Sequence, residues 1–158
     1  MPRSSMLIEE ELTRRAARTE RRLRKLEAAD RPGPGAGYVP LPTPLTSTSF
    51  DGDAFSDTAA TKIDTSAVFG APAGIKAAMV RLIARDSGAY PQADLHVTLT
   101  IDGNLSTAQL STRPIGDDIL VETCGIVNCD SNGDFYYQLN ASGVGTLDLW
   151  IQIIGYFI

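Results

Sequence analysis

The segment Asp130-Ser131-Asn132-Gly133-Asp134 spaces its carboxylates and amide as the opening of a calcium-binding loop does. Calcium takes several oxygen ligands, and alternate side chains of one tight loop can supply them. An EF-hand loop also needs a glycine at its sixth position and a glutamate at its twelfth. Here Phe135 and Ala141 stand there, so a turn between strands is the preferred reading. Asp51-Gly52-Asp53 and Asp117-Asp118 are acidic turns of the same kind. A glycosidase needs two carboxylates facing each other across a sugar, and no spacing in this chain sets up such a pair. No metal ligand and no cofactor is assigned.

Nucleophilic catalysis has little to draw on. A serine or cysteine nucleophile needs a base, and the single histidine, His96, sits within an alternating strand pattern as a solvent-facing residue. Cys124 and Cys129 are five apart in one strand-like segment, which puts their side chains on opposite faces. With no CxxC pair and no neighbouring histidine, they read as buried unpaired thiols rather than a redox or zinc site. Gly143-Val144-Gly145 is too short to cradle a phosphate, and no nucleophile elbow or dinucleotide fingerprint occurs. No catalytic residue is assigned, and the chain is not expected to be an enzyme. Trp150, Tyr136, Tyr137 and Tyr156 could stack on sugar rings, but they fall within strands, where core packing is the simpler role.

Charge narrows the partners. Residues 1–31 hold nine Lys/Arg and six Asp/Glu, whereas residues 32–158 hold five and thirteen, giving +3 and −8 within the total of −5. A strongly acidic domain does not suit a nucleic-acid backbone. The basic residues of the first segment alternate with glutamates, as on a solvated helix. No apolar run is long enough to span a membrane. The N-terminus, with three consecutive glutamates at 9–11, lacks the apolar core of a signal peptide.

These residues are carried by three segments. Residues 1–31 contain a helix over 6–29, rich in Glu, Arg, Leu and Ala and free of Gly and Pro. Leu12, Ala16, Thr19, Leu23 and Leu26 follow a 4-3-4-3 spacing and draw a narrow coiled-coil stripe; they are the expected oligomer interface. The stripe is only about three heptads long, marginal for an isolated coiled coil. Residues 32–44 form a Pro/Gly-rich linker, with Pro40, Pro42 and Pro44 favouring an extended lead into the domain. Residues 45–158 read as β throughout. Leu95, Val97, Leu99 and Ile101 alternate with His96, Thr98, Thr100 and Asp102, and Leu147, Leu149, Ile151 and Ile153 alternate with Asp148, Trp150 and Gln152. Ile75–Arg85 is a denser run that suggests a bulge or a strand buried on both faces. Ile119–Cys129 and Asp134–Asn140 flank Asn132-Gly133, a strong hairpin-turn signal. Leu45–Phe50, Lys62–Asp64 and Leu105–Thr112 are weaker strand candidates. About eight short strands predict a mainly β, antiparallel β-sandwich, jelly-roll-like, behind an N-terminal helix. The apolar strand Trp150–Ile158 must be central in its sheet or covered by another copy.

A helix with a heptad stripe, a Pro/Gly hinge and a C-terminal β domain resembles the plan of small phage virion proteins: head fibres, decoration proteins and tail-fibre tips. Three segments carry the likeness to phage-like proteins without assigned activity: TPLTSTSFDGDAFSDTAATKID, VFGAPAGIKAAMVRLIARDSG and GTLDLWIQIIGYFI. The resemblance implies a structural virion protein, made in the host cytoplasm, forming a homotrimer and binding other virion proteins. The short helix favours a capsid decoration or short head fibre over a long fibre. The alternative is a receptor-binding module that contacts a host-surface glycan. In a trimer, the apolar C-terminal strand and the β domain are expected to supply more of the interface than the helix.

Overall fold

The structure, a computed structural model, describes residues 37–56, 58–86, 95–116, 118–140 and 147–158. The expected helix over 6–29 and its stripe, Leu12, Ala16, Thr19, Leu23 and Leu26, lie outside the described residues, as does most of the Pro/Gly linker.

Among the described residues, nine strands build two antiparallel sheets. They are β1 (Tyr38–Leu45), β2 (Asp51–Phe55), β3 (Thr61–Ile63), β4 (Ala77–Asp86), β5 (His96–Thr100), β6 (Ala108–Thr112), β7 (Val121–Asn128), β8 (Phe135–Asn140) and β9 (Leu147–Phe157). The first sheet has the order β1-β9-β4-β7, with β2 also pairing to β9; the second has the order β3-β8-β5-β6. A short helix, α1 (Thr65–Phe69), links β3 to β4. Asp64 caps it, its carboxylate accepting from the backbone N–H groups of Ser66 and Ala67, and Gly70 closes it in the left-handed conformation. Such a capped single turn has no apolar period, so alternation-based reading passes over it.

The core lies between the sheets. Val80, Leu82 and Ala84 of β4 and Leu149, Ile151 and Ile153 of β9 face Val97 and Leu99 of β5 and Phe135, Tyr137 and Leu139 of β8, all buried. A period of two sends alternate residues inward, so β4 and β9 each present one wholly apolar row. Phe50 joins the layers at one side, stacking on Phe55 and Phe69 with ring centroids 5.5 Å and 6.0 Å apart and meeting Tyr137 edge-on at 5.4 Å. The C-terminal strand takes the first of its two expected settings: β9 is central, paired on one side with β1 and β2 and on the other with β4.

Several local expectations change. Tyr38–Leu45, in the stretch read as a proline-spaced lead, is the first strand. Proline is tolerated on a sheet edge because the missing donor faces no partner, and among the described residues β1 pairs only with β9. The β5 strand is not wet on one side: Thr98 and Thr100 are buried, because β5 sits between β6 and β8. Thr98 shares a hydroxyl hydrogen bond with Ser111, and Thr100 accepts from the Gly103 N–H. Leu105–Thr107 is a 3₁₀ turn ahead of β6. Asn132-Gly133 does form a turn, but not a hairpin. The strands it joins belong to different sheets, β7 pairing with β4 and β8 with β3 and β5. The dense β4 run does carry a bulge at its partner: Met79 pairs with Gly155 and Val80 with Ile153, leaving Ile154 as the extra residue.

Truncating a core side chain at the sheet junction is therefore costly. Phe135→Ala is expected to lower unfolding stability by about 3–5 kcal/mol, read as a shift of the urea midpoint. At Gly133, with φ +93, a Cβ would stand 2.8 Å from the Gly74 backbone nitrogen. Gly133→Ala is accordingly expected to be destabilising by about 2 kcal/mol or more in the same titration.

Candidate functional site

The acidic turn is closed by a lysine. Asp130 Oδ1 accepts the backbone N–H groups of Asn132 and Asp134 at 2.8 Å and 3.0 Å, an Asx turn that folds the loop on itself. The Lys62 ammonium, from β3, lies 3.0 Å from Asp130 Oδ2 and 2.9 Å from Asp134 Oδ2. Asp134 Oδ1 accepts from the Thr65 N–H, and the Thr65 hydroxyl donates to the Gly133 carbonyl at 2.7 Å. The Gly74 N–H donates to the Asn132 carbonyl. The cation between the carboxylates is thus the protein's own, and every contact ties β3, α1 and the α1–β4 loop to the β7–β8 turn. Hydrogen bonds donated to Asp134 and Asp130 push the Lys62 ammonium above the ordinary lysine range. Partial burial pushes the Asp130 carboxyl up, but the Asp134 N–H, the Lys62 ammonium and the Asn132 N–H outweigh it and hold the group below 3.8.

The other acidic residues lie apart from this cluster. Asp51 and Asp53 are exposed on β2 around Gly52, where φ is +110 and the Trp150 ring occupies the space a Cβ would need. Asp118, at positive φ, has its carboxylate 3.9 Å from Arg85 Nε. Among the described residues no three His, Cys, Asp or Glu side chains gather as a metal-holding group.

His96 is half-buried at the start of β5, opposite Asn140. The cysteines face opposite ways, but only one is buried. Cys129 lies inside, where burial pushes its thiol up to about 12. Cys124 is exposed, because the outward residues of β7, Glu122, Cys124, Ile126 and Asn128, have nothing over them among the described residues. Burial and then the Glu122 carboxylate raise the Cys124 pKa as well, so it is not an activated nucleophile. The four aromatics do not share a surface. Tyr137 is core, Tyr156 packs against the core, and Tyr136 and Trp150 lie on the outward rows of different sheets.

The broadest unusual feature is the outer face of the first sheet. Trp150 of β9 stands opposite Ile83 of β4, which stands opposite Glu122 of β7. In the next row come Gln152, Arg81 and Cys124, and beyond it Met79 faces Ile126. Ile154 fills the bulge between these rows. Met79, Ile83, Trp150 and Ile154 are half-buried by their neighbours, and Ile126 is 50% exposed. Each arginine on this face has a carboxylate partner on a neighbouring strand. Arg81 donates to Glu122 at 2.6 Å and to Gln152 at 3.4 Å. Arg85 donates twice to Asp148 Oδ2, at 2.6 Å and 2.9 Å, with its guanidinium 5.8 Å from the centroid of Trp150. A sequence signal for this face existed: Met79, Arg81, Ile83 and Arg85 share parity, so the face that carries the arginines is also apolar.

No family model matches the chain, and neither a curated protein nor a solved structure does.

The lysine closure makes a signed pH prediction. Asp130 has a lowered folded pKa, so its stabilisation is fully present above the unfolded value of 3.8 and is lost as pH falls through the folded value below that. Lys62→Met removes the ammonium and leaves two adjacent carboxylates. The drop in melting temperature on this substitution is expected to be larger at pH 7 than at pH 3. Thermal scans of both proteins at both values check it, together with added calcium chloride, which is expected to leave the wild-type melt unchanged.

Proposed function

We propose that this protein is a non-enzymatic structural component of a virion: a trimeric capsid decoration, head-fibre or fibre-tip protein that displays its β domain on the particle surface. One observation carries the reading. Tyr38, where the chain enters the sandwich, pairs with Phe157. The segment leading in from residues 1–37 therefore joins the sandwich at one end. At the other end lie Phe55, Asp86, Val121 and Leu147, the strand termini from which the opposite loops spring. A tether at one end and loops at the other suit a displayed module. The described part of the β6–β7 loop at the far end carries Ile115, Ile119 and Leu120, exposed at 74%, 47% and 58%. Exposed apolar residues gathered on one loop suit contact with another protein.

The strand pairing also supports the finer reading of the sandwich as a jelly roll. β2 pairs with β9, β3 with β8, β4 with β7 and β5 with β6. That is the ladder of one long antiparallel ribbon rolled so that alternate rungs fall in opposite sheets. The glycan-binding alternative has less behind it, since Trp150 and Tyr136 lie on different sheets.

Native mass spectrometry of the full chain at micromolar concentration is expected to give a single species of three times the 16.9 kDa chain mass. A stable monomer would overturn the trimer. Antibody against the β domain is expected to label intact particles in electron micrographs, and particles that lack the chain would remove the virion setting.

A further inference from the structure

Resting on the reading of the protein as a self-associating module, we propose that the outer face of the five-stranded sheet is where the sandwich domains of separate copies of this chain pack together. Its apolar side chains, Met79, Ile83, Ile126, Trp150 and Ile154, come from three adjacent strands and lie on either side of the row Gln152, Arg81 and Cys124. Large apolar side chains gathered on one outward sheet face mark a contact surface.

Charge selects the occupant. Residues 32–158 carry thirteen acidic and five basic residues. The sheet face holds Arg81 and Arg85 against Glu122 and Asp148, an even balance closed by ion pairs of 2.6 Å each. Away from these four, eleven acidic residues stand against three basic ones. Two copies meeting on this face oppose charges that are already paired, while the net acid of the domain lies in its other residues. A basic partner would find its complement on the remaining surface and not here.

The sheet edges leave a second copy few other approaches. On one edge, Pro40, Pro42 and Pro44 share parity on β1 and remove three backbone donors from the same side of that strand. On the other, β7 lies against β6: the Asn128 N–H donates to the Gln109 side chain and the Thr123 hydroxyl to that of Thr112. Addition of strand to strand is disfavoured on both sides, and packing face to face is not.

The test compares full-length variants by native mass spectrometry at one concentration. Ile126→Glu puts an unpaired carboxylate at the exposed edge of the patch and is expected to convert the trimer to the 16.9 kDa monomer, with the circular dichroism of the sandwich retained. Ile115→Glu, on the β6–β7 loop, is expected to leave the trimer intact. A trimer that survives Ile126→Glu overturns the proposal, and dissociation by Ile115→Glu instead assigns the contact to the loop. A monomeric wild-type chain would overturn both this interface and the trimer on which it rests. Cys124 gives a reading that needs no variant. Its alkylation by N-ethylmaleimide is expected to slow as the chain is concentrated into the trimer, and an unchanged rate in a confirmed trimer counts against the face.

Discussion

The pairing of β9 with three other strands is the constraint on which the sandwich depends. Leu147, Leu149, Ile151 and Ile153 are all buried completely; Leu147, Leu149 and Ile153 each sit between β4 on one side and β1 or β2 on the other, and Ile151 sits between β4 and the Phe50 carbonyl. Without β9, β4 keeps only β7 and the first two strands keep no partner in that sheet. Removing it would also uncover the apolar rows of β5 and β8. Because β9 joins residues near 40 to residues near 155, the loop-closure entropy falls late and all at once. Such long-range pairing favours slow, cooperative folding.

The same strand shapes the outside. An inward row of Leu and Ile at every second position fixes the parity of Asp148, Trp150 and Gln152, which must then point outward. The bulge at Ile154 breaks that parity once, adding a second large apolar side chain to the outer face while Tyr156 turns back toward the core. Trp150 lies across Gly52 of β2, where any side chain would collide with the indole. The apolar character of the outer face is thus partly a consequence of how the inner one is packed.

Much of this was legible in the sequence. Strict alternation located β5 and β9, the runs flanking Asn132-Gly133 located β7 and β8, and the apolar density of 75–85 located β4, with a bulge as one of two readings; the bulge falls at Ile154 of its partner β9. Other features escaped for identifiable reasons. Prolines at every second position of β1 remove backbone donors, which reads as linker unless the strand is known to be an edge. The single turn of α1 is shorter than the periods that reveal such elements, whereas the weak strand candidate Lys62–Asp64 meets β3 within one residue. Thr98 and Thr100 look solvent-facing by composition, but hydroxyls can be buried when a serine hydroxyl or a turn amide meets them, as Ser111 and Gly103 do. Asn132-Gly133 has the residues of a hairpin turn, and only the partners of β7 and β8 show that it crosses between sheets. At the acidic turn, the cation facing Asp130 and Asp134 is Lys62, about seventy positions away, and no local spacing reveals it.

On the proposed reading, neither contact between copies has to be strong. A stripe of about three heptads with alanine and threonine at its centre is marginal alone, and a sheet face crossed by two ion pairs is less apolar than a core. Joined in one chain, each raises the effective concentration at which the other forms. The linker must then be long enough for both to close together, yet a loose linker dilutes that benefit. Pro32 and Pro34 restrict the backbone between the stripe and the sandwich, whereas Pro40, Pro42 and Pro44 belong to the sandwich itself, in β1. The association would then be set by geometry as much as by the chemistry of either surface.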